Sequence, residues 1–303
     1  MAEKIWTALS NELASASAEA GKSVVAVLGR RHPASGVAFS RDAIVTANHV
    51  LRRDDEIIVI AGPGKKVAAR IAGRDATTDL AVLRVQQPLD VPVAQWADTA
   101  SLRVGDLTLA LARTWRGNVV ASCGIISGLI RGPWRTWRGG ELDQFIRPDL
   151  NFYPGFSGGP LVGDTGRLLG INTAGLHRSG ITIPAATVAR VAGELLEKGR
   201  IERPYLGLGM QSVPLPESLR AKLNLISGEG LLVAQVEPGG PAEAAGVLLG
   251  DVLIELAGKP VSDTETVQQV LTACKTGQEI DATLIRGGAL AKAKIKLAAR
   301  PGN

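Results

Sequence analysis

The sequence predicts a mainly β protein in two parts, a strand-built first two thirds followed by a smaller α+β remainder. Three observations carry this. The chain has 303 residues, and at about 150 residues per domain that length suggests two domains. It holds 36 glycines and 16 prolines, so it turns too often for a helix bundle. Short runs rich in Val, Ile and Leu recur between those turns, which is the pattern of buried strands.

In chain order, residues 1–22 read as a helical segment, and strands follow. The runs are SVVAVLG from Ser23, GVAFS from Gly36, AIVTA from Ala43, EIIVI from Glu56 and LAVLRV from Leu80. They continue as DLTLAL from Asp106, VVASCGIISGLI from Val119, LVGD and RLLGINTAG after Pro160, and ITIP from Ile181. Many short strands with no helix between them indicate a sandwich or a barrel. Behind Pro184, residues Val188, Val191, Leu195 and Leu196 fall on one helical face, with Gly199 placed to end the helix. The charged, proline-bearing GRIERPYLG then sets a domain boundary between Arg200 and Pro204, separating a domain at 23–199 from one at 204–300. The second domain reads as strand GLLVAQV from Gly230, turn PGGPAEAAG, strand DVLIEL from Asp251 and a helix from Asp263. In that helix Val267, Val270, Leu271 and Cys274 form one apolar stripe.

Composition narrows the function classes. Hydrophobic residues make up 45% and charged residues 21%, the balance of a soluble globular protein, which excludes collagen-like, mucin-like and acidic-tail classes. The 34 Lys and Arg exceed the 29 Asp and Glu by only five charges, too few and too scattered to require a nucleic-acid partner. Cys123 and Cys274 match no zinc or redox spacing; both are expected to be buried free thiols, and no metal or cofactor is expected. No apolar stretch of roughly eighteen residues offers a membrane span. The opening MAEKIWTALSNELASASAEA lacks the continuous apolar core of a secretory signal. The chain as written is therefore expected in the cytoplasm, or in the periplasm or another extracytoplasmic site if a leader has been removed.

The chemistry concentrates around Ser157. In NFYPGFSGGPL, Gly155, Gly158 and Gly159 surround a serine on a turn where bare amides can approach a substrate. The N–H groups of Gly155 and Ser157 could converge on a developing oxyanion, while a Gly/Pro-rich surface turn explains the same residues equally well. A serine hydroxyl needs a base, and the chain has three histidines. His32 and His177 fall in loop-like segments, whereas His49 ends the strand-like run IVTANHVL. An orienting carboxylate is available in Asp79, which precedes the apolar run of TTDLAVL, although alone it reads as a turn residue. His49, Asp79 and Ser157 occur in the order His, Asp, Ser, the order of one serine-protease class among three.

Three other motifs compete with this reading. The G-x-S-x-G spacing at 155–159 also fits a hydrolase nucleophile elbow, but that elbow opens a helix, and Gly158, Gly159 and Pro160 oppose one. The segment from Ala16 to Ser23 resembles a phosphate loop, yet a helical pattern precedes it and a strand follows, the reverse of that motif. Interleaved Arg and Trp in GPWRTWRGG could stack bases; a loop packing on its own barrel or on a neighbouring subunit is the preferred reading.

The blocks TANHV, TDLAVL and PGFSGGPL resemble the three catalytic blocks of the HtrA/Deg serine proteases, and LGINTAG and ITIP extend the resemblance. RPYLGLGM, VEPGGPAEAAG and GDVLIELAGKPV resemble the PDZ domain that follows in that family. The resemblance spans roughly residues 22–298. It implies a chymotrypsin-like double β-barrel followed by a small α+β PDZ domain, and ATP-independent endoproteolysis of unfolded or exposed segments in protein quality control.

Residue by residue, the resemblance implies Ser157 as nucleophile, His49 as base and Asp79 as its orienter, with Gly155 and Ser157 amides as the oxyanion hole. Ile181, Thr182 and Ile183 are similar to the family's pocket wall, which implies a medium aliphatic preference. Tyr205, Leu206, Gly207 and Leu208 would form the carboxylate-binding loop of the PDZ, with Val267 and Leu271 lining its side-chain pocket. The implied partners are unfolded polypeptides, C-terminal peptides and further copies of the chain in a trimer, for which Trp6 is a candidate interlocking aromatic. The chain departs from the family at Tyr153 and Phe156, where Asn is usual, and at ARTWRGN, where a GNPFG-like loop is usual. Phe156 is expected either to shape the site or to obstruct it, and a silent peptide-binding or chaperone-like protein is the alternative.

Overall fold

The computed structural model describes residues 2–29, 33–51, 57–177 and 179–299; His32 lies outside them. The chain divides into two compact units, Met1–Ile201 and Glu202–Asn303. In the first, helix α1 (Ala2–Gly21) leads into β1 (Val24–Leu28), β2 (Ala34–Ala38), β3 (Ala43–Ala47), β4 (Ile57–Gly62), β5 (Lys65–Asp75) and β6 (Leu80–Val85). These six strands close a barrel in the order β1-β2-β3-β6-β5-β4. A second barrel contains β7 (Leu107–Arg113), β8 (Val119–Arg135), β9 (Glu141–Asp149), β10 (Pro160–Val162), β11 (Leu168–Thr173) and β12 (Ile181–Pro184). Its order is β10-β11-β12-β9-β8-β7.

Barrel closure explains the uninterrupted apolar runs. An open sheet with one wet face alternates apolar and polar residues, but strands covered on both faces do not. In β1 and β3, Val25, Val27 and Ile44 fill the first barrel. The alternate residues Val24, Ala43 and Val45 join Leu111, Ile171 and Ile183 of the second barrel in a shared core. The closing helix α2 (Ala185–Lys198) seals that core with Val188, Val191, Ala192 and Leu195. It ends at Gly199, whose φ of 74° allows the terminal N–H to bond back to Leu195 O. That helix end passes so close to β5 that a Cβ on Gly73 would stand 2.6 Å from Gly199 O, so both positions require glycine.

Three local expectations are corrected. The Arg/Trp segment is not a loop: β8 runs through Gly132, Pro133 and Trp134, and register shifts at Ile126/Gly128 and Arg131/Trp134 absorb these breakers as bulges. Trp134 packs on Phe145 with ring centroids 4.9 Å apart, whereas Trp137 is exposed. Neither thiol is fully buried. Cys123 lies exposed on β8 and Cys274 is only partly covered, because its helix ends at Thr272, before the apolar stripe reaches it. His49 does not end a strand, since β3 stops at Ala47 and Asn48–Val50 forms a 3-10 turn.

The second unit pairs β13 (Pro204–Tyr205) with β20 (Ala298–Ala299) and builds a main sheet from β14 (Leu208–Pro214), β15 (Glu229–Val236), β16 (Val252–Leu256), β18 (Glu279–Arg286) and β19 (Ala289–Lys296). The short β17 (Lys259–Pro260) pairs with β16. Helices α3 (Glu217–Leu223), α4 (Pro241–Ala244) and α5 (Thr264–Thr272) complete it. Asp263 caps α5 by accepting from Thr266 N at 2.6 Å.

Asp251, 2% exposed, anchors the turn into β16. It accepts two bonds from Arg286, at 2.8 and 2.7 Å, and one from Leu248 N at 2.8 Å. The Arg286 guanidinium foremost holds the Asp251 carboxyl below its ordinary value, against the opposing cost of burial. The folded state thus favours the ionised carboxylate. This contribution is fully present above the unfolded aspartate pKa of about 3.9 and is lost as pH falls through the lower folded value. Acid unfolding followed by circular dichroism should show Asp251→Asn destabilised at neutral pH but less sensitive to acid than the wild type.

Candidate active site and peptide groove

Asp79 stands at the last residue of the turn between β5 and β6, in a conformation that only a braced backbone holds. Its φ is 57°, unusual for a residue with a Cβ. The preceding turn is fixed by Asp75, which accepts from Thr77 N at 3.1 Å, Thr77 Oγ1 at 2.8 Å and Thr78 Oγ1 at 2.7 Å. Thr136 Oγ1 donates to Thr77 O at 2.7 Å from the β8–β9 hairpin. The 3-10 turn carrying His49 is held in parallel, because Arg74 Nε donates to Asn48 Oδ1 at 2.7 Å and its Nη2 reaches the Asn48 and Leu51 carbonyls.

These braces bring the two residues together. His49 Nδ1 lies 2.7 Å from Asp79 Oδ2, and His49 N donates to Asp79 Oδ1 at 2.9 Å. Thr173 Oγ1 also donates to Asp79 Oδ2, and accepts from Gly175 N at 2.8 Å. Asp79 is fully buried. A buried carboxylate is tolerable when its oxygens receive hydrogen bonds, and the arrangement favours the His49 tautomer with a proton on Nδ1 and a lone pair on Nε2. A Cβ on Gly175 would approach Asp79 Oδ2 to 2.6 Å and His49 Nδ1 to 2.7 Å, so no larger residue fits beside the pair.

Ser157 approaches from the second barrel on the turn between β9 and β10. The turn is stitched to β11 by Gly158 N to Asn172 O at 2.9 Å and Asn172 N to Gly159 O at 2.8 Å. Among the described residues, the hydroxyl of Ser157 makes one hydrogen bond, accepting from Ala174 N at 3.4 Å. Ala174 lies between Thr173 and Gly175, which flank the His49–Asp79 pair. Phe156 N donates to Tyr153 O and Gly159 N to Phe156 O, whereas among the described residues the amides of Gly155 and Ser157 donate none. Gly155 adopts φ 101° and Gly158 φ 85°. Phe156 is 2% exposed within the cluster formed by Ile126, Ile146 and Leu161, so its ring fills the barrel and leaves the turn's outer side open.

The remaining residues divide. Ile181 and Ile183 are fully buried in the core shared by the barrels, and Thr182 donates to Asn172 Oδ1 at 2.8 Å. All three side chains are buried away from solvent. Sequence reasoning missed Arg74, Ser35, Thr173 as a ligand of Asp79, and Asn172; only the last two lay in a recognised block. His177 pairs with Ser179, with Nδ1 and Oγ 2.8 Å apart, and its ring meets Phe145 edge-on. Among the described residues no group of three or more His, Cys, Asp or Glu could hold a metal.

In the second unit, Tyr205, Leu206, Gly207 and Leu208 line one groove of about 450 Å³ together with Val267 and Leu271 of α5. Glu237 N donates to Gly207 O at 2.8 Å and Ala242 N to Leu206 O at 2.9 Å, which fixes the loop through its carbonyls. The edge strand β14 forms one wall, open for an added strand.

Two closed barrels carrying a histidine paired to a fully buried aspartate, followed by a separate sheet-and-helix unit, define a trypsin-like peptidase joined to a PDZ domain. Residues 34–171 match the trypsin-like peptidase domain model and residues 204–297 the PDZ domain model. The chain is 34% identical over 281 residues to the serine protease Do-like HtrA of Lactobacillus helveticus, covering 87% of this chain and 68% of that protein. It is 32% identical to a probable periplasmic serine endoprotease DegP-like of Rhizobium meliloti, covering 91% of this chain and 55% of the relative. Among solved structures, it is similar to the HtrA-type protease AlgW with decapeptide at a TM-score of 0.75 and 26% identity, covering 96% of this chain and 99% of that one. The serine endoprotease from Yersinia pestis matches at a TM-score of 0.74 and 28% identity, over 96% and 98% of the two chains. The chain belongs to the HtrA family of serine proteases. No helix among its described residues is long and apolar enough to cross a membrane.

Proposed function

We propose that the chain hydrolyses peptide bonds by a Ser157–His49–Asp79 mechanism and acts on unfolded or exposed polypeptide segments. The observation that carries this is the fully buried Asp79 holding His49 Nδ1 at 2.7 Å. With its Nδ1–H donating to the Asp79 carboxylate, His49 presents Nε2 to take the Ser157 proton as Oγ attacks the scissile carbonyl. The imidazolium then returns that proton to the leaving amine, and Asp79 stabilises the positive charge without accepting the proton. The Gly155 and Ser157 amides receive the oxyanion, a contribution often worth about 2.7–4 kcal/mol per donor. Water completes the cycle by attacking the acyl-enzyme with the same base. The test is hydrolysis of one protein in its folded and its permanently unfolded form: loss of the unfolded form alone supports the reading, and equal resistance of both overturns it.

The second unit captures the C-terminus of a substrate or regulatory peptide in the groove between β14 and α5. The Leu206, Gly207 and Leu208 backbone receives the terminal carboxylate, and Val267 and Leu271 take an aliphatic last side chain. Titration by fluorescence polarisation should show that amidating a peptide ending in an aliphatic residue weakens binding at least about tenfold, since buried donors lose a charged acceptor. Unchanged affinity would remove the groove from this role.

The bond from Ala174 N to the Ser157 hydroxyl favours a second reading, a chaperone-like binder without turnover, which Ser157-dependent hydrolysis would exclude. Relatives from Rhizobium and Brucella are named periplasmic, which supports an extracytoplasmic site of action over the cytoplasm. Trp6, 72% exposed on α1, is the contact proposed for assembly into a trimer.

A further inference from the structure

The turn carrying Ser157 is held from the opposite barrel by one side chain. Ser35 lies fully buried in β2. Its N–H donates to Ser157 O at 3.1 Å. Its hydroxyl donates to Gly155 O at 2.7 Å and accepts from Arg113 N at 3.0 Å. Because the Arg113 amide can only donate, the single hydroxyl proton is directed to Gly155 O. The packing around this residue leaves no slack, since a Cβ on Gly158 would stand 2.0 Å from Ser35 O.

We infer that Ser35 is a positioning residue that holds the oxyanion amides in register, acting through the carbonyls of Gly155 and Ser157 without touching substrate. The two free amides flank the Gly155–Phe156 peptide plane. That plane is fixed at one end by Phe156 N donating to Tyr153 O at 3.1 Å and at the other by the Ser35 hydroxyl. Gly155, with φ 101°, has no Cβ to restrict it, so a carbonyl released on its C-terminal side lets the plane turn and shifts the Gly155 and Ser157 N–H groups on either side of it. Oxyanion donors act through fixed geometry, within about 2.7–3.1 Å of the developing charge. Loosening them therefore weakens transition-state binding more than substrate binding.

This inference rests on the serine-protease reading, and the experiment separates the two. In the full-length chain, kcat and KM for a peptide substrate, inhibition by a peptidyl boronic acid, and thermal unfolding are compared for wild type, Ser35→Ala and Ser23→Ala. The boronate forms a tetrahedral adduct on Ser157 that places an oxygen in the hole. Ser23 is the control, a buried serine whose hydroxyl donates to Ala20 O at 2.9 Å away from the turn. Ser35→Ala is expected to lower kcat about 10- to 100-fold with KM within about threefold. Boronate affinity should fall by the same factor, while Ser23→Ala keeps its kcat within about twofold for a similar loss of thermal stability. If Ser35→Ala does not fold, Ser35→Cys, which keeps an atom in place but donates weakly, carries the same expectation. Wild-type kcat and boronate affinity in a folded Ser35 variant, or equal losses in the Ser23 control, would overturn the inference. A wild type lacking Ser157-dependent hydrolysis would overturn the protease reading first and this inference with it.

Discussion

Ser157→Ala is expected to remove hydrolysis almost entirely, lowering kcat by about 10⁶-fold, the scale seen when a triad nucleophile is removed. The fold should tolerate the change. Ser157 is half-buried, and its turn is held by main-chain bonds of Gly158 and Gly159 to Asn172 and by Ser35, none of which uses the Ser157 hydroxyl. The variant should therefore unfold at nearly the wild-type temperature and keep the peptide affinity of its second unit. Steady-state proteolysis beside differential scanning calorimetry checks both parts, and a variant that still cleaves within tenfold of wild type would place the nucleophile elsewhere.

The next largest effect is expected for Asp79→Asn, about 10⁴-fold in kcat. The carboxylate accepts from the His49 main chain at one oxygen and from His49 Nδ1 and Thr173 Oγ1 at the other. An asparagine oxygen can serve only one of these sets. When it accepts from His49 N, its amide nitrogen faces His49 Nδ1 and donates to it, so the imidazole proton moves to Nε2 and no lone pair faces Ser157. Retention of KM with loss of kcat is the expected pattern. A Thr173→Val change removes one donor while leaving the tautomer intact, and should cost far less. Equal losses in the two variants would point to collapse of the pocket instead of a tautomer effect.

Much of this was legible in the sequence because its signals are local. Continuous apolar runs marked strands covered on both faces, and the three motif blocks each pack their chemistry into a few adjacent residues. What escaped detection acts over distance. Ser35 bonds to Gly155 across 120 positions and Thr173 to Asp79 across 94, and an isolated buried hydroxyl leaves no periodic or compositional trace. Arg74 escaped for the same reason, since only its proximity in space to the Asn48–Val50 turn gives it a task. Strand β8 was misread because Gly132 and Pro133 signal a break, whereas a bulge between Arg131 and Trp134 lets the pairing with β9 continue. The direction of Phe156 was unreadable as well, because a turn has no periodicity to say which side faces inward.

The central claim is that His49 and Asp79 activate Ser157 while the Gly155 and Ser157 amides await the oxyanion. A fluorophosphonate tests it most directly: Ser157 Oγ forms a bond to phosphorus as fluoride departs, and mass spectrometry then locates the adduct. The account predicts modification at Ser157, abolished in Ser157→Ala and strongly slowed in Asp79→Asn. Folded wild-type protein that stays unlabelled both with and without a C-terminal aliphatic peptide, or labels equally well in Asp79→Asn, would contradict it.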